Sequence, residues 1–345
     1  MLSVSFRRMG VCFMLVYAPV ILAQELHGAG ATFPALLYQK WAMNYSLGKG
    51  VKVDYLAVGS GEGIKRIEAG EVDFGGSDMP LKLDELTKKG LLQFPMVMGA
   101  ITPVINVPGV HIAQLKLDGQ TLAEIFSGKI SRWDDHKLYV LNPGLRLPNK
   151  PIIVIYREDK SGTTFNFTNY LSKVSVEWQK SIGEGLTVKW PVGYAAKGNA
   201  GVSAKVKETD GAIGYVDYAD AMDKHLDYVV LKNNDGYFVR PNAGSTQSAA
   251  AGAKWNAENG FYQILTNAPG ESSWPITATT FIIIRKDVQN IERLHEILKY
   301  IDWCYRTGEL PAMYLDFVMM PKNVMEKVRS SWREIKDSSG QSAWK

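Results

Sequence analysis

Residues 156–167 read YREDKSGTTFNF, placing Arg157, Glu158, Asp159 and Lys160 in consecutive positions ahead of Ser161, Gly162, Thr163 and Thr164. Three chemistries fit such a run. Paired carboxylates beside a cation can exchange protons. Small hydroxyl residues opening a helix can cradle an anion with free backbone N–H groups and the positive end of the helix dipole. The same residues can also do no more than cap the helix. Two other turns share the form. GAGATFPALLYQKW (28–41) carries Thr32, a good N-cap, and Pro34, suited to a first helical turn. VGSGEGIKRI (58–67) has Ser60 where a strand ends and a helix begins. Any one of them alone is best explained by capping, and three in one chain weaken that explanation without proving that they converge.

Recognisable enzyme motifs are missing. GSGEGIK lacks the four-residue spacing of a P-loop, and GAGATF lacks the last glycine of a dinucleotide loop. GGSDM lacks the closing glycine of a nucleophile elbow. His27, His111, His136, His225 and His295 are scattered without metal-ligand spacing, and HEILK (295–299) has lysine where a zinc helix needs its second histidine. No metal site and no cofactor is expected.

The elements that must position these turns follow a strand, glycine turn, helix rhythm. VKVDYLAV (51–58) predicts a strand, GEGIKRIEAG a short helix ending at Gly70, and EVDFGGSD a strand running into a turn. TLAEIFSG (121–128) predicts a helix stopped by Gly128. PIIVIY (151–156) and TATTFIIIR (277–285) are continuous apolar runs, the mark of strands buried on both faces. LDYVVLKNNDGYFVRP predicts a hairpin around Asn234, Asp235 and Gly236. Ile291, Leu294, Leu298, Ile301 and Tyr305 share one helical face, with Gly308 as the stop; Cys304 lies beside that stripe and reads as core. A second amphipathic helix carries Val324, Val328, Trp332 and Ile335. Alternating strands and helices predict an α/β fold with mainly parallel sheets, in which ligands bind beyond the carboxyl ends of strands.

Arg7 and Arg8 precede an apolar stretch from about Val11 to Leu22 that ends at Ala23, the order of a cleaved secretory signal over residues 1–23. The stretch falls short of the roughly 20 residues a membrane span needs. Cleavage would leave Cys304 as the single cysteine, so an exported chain must rest on its core rather than a disulfide. The full chain has 39 basic and 35 acidic residues, and loss of Arg7 and Arg8 brings the balance closer to zero. Nothing in that balance implies a nucleic-acid partner.

Taken in order, GAGATFPALLYQKW, GSGEG, VDFGGSDMPL, REDKSGTTFNFTNYL, VKWPVG, GAIGYVDYA and WPITATTFIIIRKD resemble the periplasmic phosphate-binding proteins of high-affinity phosphate ABC transporters, from about residue 28 to the end. The resemblance implies a type II periplasmic binding protein: two similar α/β domains joined by a two-segment hinge and closing over one dehydrated phosphate. It places domain one at 24–97 plus 278–345, domain two at 102–274, and the crossings near 98–101 and 275–277. Matched position by position, it implies phosphate contacts from Thr32, Phe33, Ser60, Asp78, Arg157, Ser161, Gly162 and Thr163, with Asp159 partnering Arg157. It further implies a periplasmic monomer that serves a membrane permease with a cytoplasmic ATPase. One departure stands out, GSGEG in place of the family's usual GSSGG, so that Glu62 adds a negative charge near an anion site. An acid in the first helical turn is expected to point to solvent.

The implied site barely neutralises a dianion. Three helix ends supply about +0.5 each, Arg157 adds one charge that Asp159 offsets, and Asp78 subtracts another. Dense hydrogen bonding must then do the holding, at roughly 1.5–3 kcal/mol for each charge-assisted bond. Asp78 is the expected discriminator, because an ionised carboxylate accepts the proton that phosphate carries and sulfate lacks. The alternatives are binding of sulfate, molybdate or a phosphonate, or an exported phosphatase using Ser60 or Asp78 as nucleophile.

Overall fold

A computed structural model describes residues 25–286, 290–337 and 340–344, so the expected signal over 1–23 lies outside the described residues. Its backbone centres on a curled, mixed sheet flanked by helices, with a separate small sheet of three strands. Neighbouring strands run in the order Lys52–Ala57, Glu25–Gly30, Phe74–Ser77, Thr277–Arg285, Leu91–Asn106, Ala212–Asp217, Ile153–Arg157 and Tyr194–Ala196. Glu25–Gly30 is parallel to both of its neighbours. So is Ile153–Arg157 to its own two at the far side.

Between these parallel groups lie the two longest strands, and there the expectation of a mainly parallel sheet fails. Thr277–Arg285 runs antiparallel to both neighbours, and Leu91–Asn106 is antiparallel to Thr277–Arg285 on one side and Ala212–Asp217 on the other. A run of apolar residues reports burial on both faces but carries no information on strand direction. Every residue from Thr277 to Ile284 is buried. Leu91–Asn106 serves both halves of the molecule: its residues 91–100 pair with Thr277–Arg285, and from Ile101 onward it pairs with Ala212–Asp217. Residues 255–261 pack back onto the first half, with the Trp255 ring beside Phe281 and the Gln93 side chain donating to the Gly260 carbonyl at 2.8 Å.

The helices fall close to where the sequence puts them. Ser60–Ala69 ends at Gly70, which takes the left-handed conformation at φ 73°. Ile291–Thr307 buries Leu294, Leu298, Ile301 and Tyr305 together with Cys304, whose thiol is pushed well above its ordinary range by burial. Lys322–Arg333 buries Val324, Val328 and Trp332. The expected helix at 121–128 spans Gly119–Phe126 and starts earlier because the Asp118 side chain accepts from the Thr121 amide. The expected hairpin pairs Leu231 with Val239. Among the described residues, no helix is long and apolar enough to cross a membrane.

Candidate functional site

Parallel strands deliver all three turns to one place. Glu25–Gly30, Lys52–Ala57 and Phe74–Ser77 end at the same edge of the first half, so their carboxyl ends carry Thr32, Ser60 and Asp78. Ile153–Arg157, Tyr194–Ala196 and Ala212–Asp217 end together in the second half and carry Arg157, Asn199 and Asp217. The two edges meet. Ser60 Oγ accepts from the Asp78 amide at 3.2 Å within its own half, and from the Gly162 amide of the other half at 3.1 Å. With both lone pairs engaged, the Ser60 O–H is left to donate.

Thr32 does not cap the first helix. Ala35–Lys49 begins after Pro34 and has no side-chain cap, because the Thr32 carbonyl rather than its hydroxyl meets the Ala35 amide. The hydroxyl is instead buried without a partner. Nor do the amides of Thr32 and Phe33 find an acceptor among the described residues. Ser161 does cap its helix, Gly162–Val174, accepting from the Thr164 amide at 3.1 Å. Gly162 lies where no side chain fits. A Cβ there would sit 2.7 Å from Asp78 Cβ and 2.8 Å from Asp78 Oδ2, and closer still to Ser60 Oγ. The backbone is therefore pressed against the acid from the opposite half.

Asp78 is 1% exposed. Its Oδ1 accepts from Thr280 Oγ1 at 2.6 Å, while Oδ2 is buried with no partner. Burial pushes its pKa up to about 7, although Thr280, Arg157 and Ser60 all pull the other way. Near neutral pH the group is thus poised between carboxylate and acid, which refines the expectation of a pure acceptor.

Arg157 is buried and its guanidinium is largely spoken for. Nε and Nη2 make a two-pronged contact with Asp159, at 2.8 and 2.5 Å. Nη1 donates to Asn199 Oδ1 at 2.5 Å and makes a long contact of 3.4 Å with Thr163 Oγ1. Of five N–H groups, three are engaged at short range, a fourth makes the long contact, and one is left for an anion. Burial alone would raise Asp159, but hydrogen bonds and charge from Arg157 and the Gly198 amide outweigh it and hold the carboxyl below its ordinary range. Asn199 in turn donates to Asp217 Oδ2 at 2.5 Å. Burial, reinforced by the neighbouring Asp220, pushes Asp217 well above the usual carboxylate range.

Glu62 is paired along its own helix, its Oε1 accepting from Arg66 Nε at 3.0 Å, and that bond lowers its pKa. Among the described residues no group of three or more His, Cys, Asp or Glu could hold a metal. The structure therefore gathers Thr32, Phe33, Ser60, Asp78, Arg157, Ser161, Gly162 and Thr163 where the two halves meet. Thr280, Asn166 and Asn199 join them without having been singled out in the sequence. Asn199 was the most accessible of the three, since it follows a short parallel strand as the other turns do. That strand, Tyr194–Ala196, is too brief to announce itself.

Two α/β groups with facing carboxyl ends and buried donors between them define a solute-binding protein of the periplasmic binding class, and residues 22–306 match the model of the PBP superfamily domain. Within that class the chain belongs to the family of phosphate-binding proteins named PstS. It is 45% identical over 329 residues to that of Pasteurella multocida, covering 95% of this chain and 96% of the relative. It is 47% identical over 315 residues to that of Haemophilus influenzae, covering 91% and 94%. A phosphate-binding protein from Stenotrophomonas maltophilia shares the fold, with a TM-score of 0.67 at 20% identity over 89% of this chain and 94% of its own. A human phosphate-binding apolipoprotein shares it with a TM-score of 0.72 at 22% identity, over 89% and 94%.

Proposed function

We propose that this chain is an exported solute-binding protein that captures inorganic phosphate between its two halves and passes it to an ABC permease driven by a cytoplasmic ATPase. It acts by binding rather than by turnover. The observation that carries the reading is Asp78 Oδ2, a buried carboxylate oxygen without a partner that faces the Gly162 backbone, with the Thr32 hydroxyl likewise buried and unpartnered. A buried polar atom left unsatisfied costs free energy that a fitting ligand restores. Phosphate brings a proton for Asp78 and acceptors for Thr32, Ser60, Arg157 and the helix amides. The names of its relatives support the same ligand.

The phosphate ligands in this reading are Thr32, Phe33, Ser60, Asp78, Arg157, Ser161, Gly162 and Thr163, with Asp159 holding Arg157 in place. The two domains are 24–97 with 278–345, and 102–274. The change of strand partner at Ala100 and Ile101 supports one crossing. Export follows from the signal expected over residues 1–23, and the mature protein works as a periplasmic monomer. Calorimetric titration of phosphate-stripped protein tests the reading. Phosphate and arsenate should bind at about micromolar or tighter, and sulfate should give no heat at about pH 9, where Asp78 is ionised. Equal affinity for sulfate would overturn the phosphate assignment in favour of a general oxyanion carrier. Release of product from a chromogenic phosphate ester would point to a phosphatase.

A further inference from the structure

Helix Gly162–Val174 sets Asn166 one turn beyond the cradle, where it is 2% exposed. Its carboxamide nitrogen donates to the Asp78 carbonyl of the opposite half at 2.7 Å and to the Gly162 carbonyl of its own helix at 3.0 Å. Two other bonds cross at the same seam. The Gly61 amide meets the Lys160 carbonyl at 3.0 Å, and the Gly162 amide meets Ser60 Oγ at 3.1 Å. The first of these is purely backbone. The second joins two groups assigned to the anion, so an anion competes for it. The Asn166 bond has no such competitor and can persist with phosphate in place. It also completes the fixing of Asp78: Thr280 holds the carboxylate from its own half, and Asn166 holds the main chain from the other.

We infer that Asn166 is a positioning residue that clasps Asp78 across the cleft and sets how long the protein retains its anion. The inference rests on the phosphate-capture reading. When the halves part, water replaces both partners of the clasp, and when they meet, its loss leaves the Asp78 carbonyl buried and unpaired. The clasp therefore stabilises the joined form, which phosphate-free protein visits and phosphate-loaded protein keeps. Changing it alters release rather than capture.

The test compares wild type with Asn166→Ala and with Asn166→Leu, which keeps the shape but lacks the N–H groups and adds no charge. Stopped-flow measurement with inorganic phosphate should show release about tenfold faster in both variants, with association changed less than about twofold. The melting midpoint should fall in phosphate-loaded protein while staying close to wild type after phosphate is stripped. Unchanged release in both variants, or equal loss of midpoint with and without phosphate, would make Asn166 a packing residue and overturn the inference. Hydrogen exchange at the Gly61 and Gly162 amides of phosphate-free protein gives a readout that needs no ligand. Faster exchange in the variants supports the clasp, and unchanged exchange refutes it. Failure of wild type to bind phosphate would sink the phosphate reading alone, with the exchange comparison still deciding the clasp.

Discussion

Replacing Asp78 by asparagine should change how stability depends on pH in a way that isolates one carboxyl group. Burial raises the Asp78 pKa from 3.8 to about 7. At about 1.4 kcal/mol per pH unit, ionising Asp78 in the folded protein costs roughly 4 kcal/mol in full. A folded-state pKa above the unfolded one means that the folded protein holds its proton more tightly. Asp78 therefore imposes no penalty below the unfolded value, and stability falls as pH rises from about 4 to about 7. Asparagine keeps the acceptor for Thr280 but carries no titrating proton. Its amide, lacking a partner, adds a cost that does not vary with pH.

Urea unfolding of phosphate-stripped wild type and Asp78→Asn, at about pH 4.5 and about pH 8, should give a difference between the proteins that moves by roughly 3 kcal/mol in favour of the variant at the higher pH. Asp217 and Asp220 are also raised. They titrate in both proteins and cancel from the comparison. A difference that stays constant with pH would refute the account of Asp78 as a buried acid poised near neutrality.

Gly162→Ala should weaken phosphate binding by about a hundredfold or more in calorimetry, because the added methyl collides with Ser60 Oγ and Asp78 when the halves meet. Arg157→Lys should also lose about a hundredfold, since a lysine cannot reproduce the fork that engages Asp159 and Asn199 while still reaching an anion. Glu62→Gln should leave the phosphate dissociation constant within about twofold at moderate salt, because Glu62 is paired with Arg66 on the helix surface. Sulfate, silent at about pH 9, should bind with rising affinity as pH drops toward the Asp78 pKa of about 7 and level off below it, because the protonated acid becomes a donor to an anion that has no proton of its own.

Local chemistry made much of this molecule legible in its chain. The αL stop at Gly70, the cap at Ser161, the apolar stripe through Leu294, Leu298 and Tyr305, and the buried run at 277–284 all act within a few residues, where propensity and periodicity speak directly, whereas the run at 151–156 buries only Val154 and Ile155. The three hydroxyl-bearing turns were visible for the same reason. Strand direction was not, because Thr277–Arg285 is apolar whichever way it runs. Nor was the fate of the Thr32 hydroxyl, which could have capped a helix and instead lies buried without a partner.

What only the tertiary structure decided is which distant groups share a boundary. Thr280 meets Asp78 across 202 residues of chain, and Asn166 meets it across 88. No local pattern records such pairings, since they arise when antiparallel central strands bring two sets of carboxyl ends face to face. The pKa of Asp78 belongs to the same category. An aspartate before Met-Pro has an ordinary acidity as sequence, and it becomes a near-neutral acid only when the opposite half removes its water.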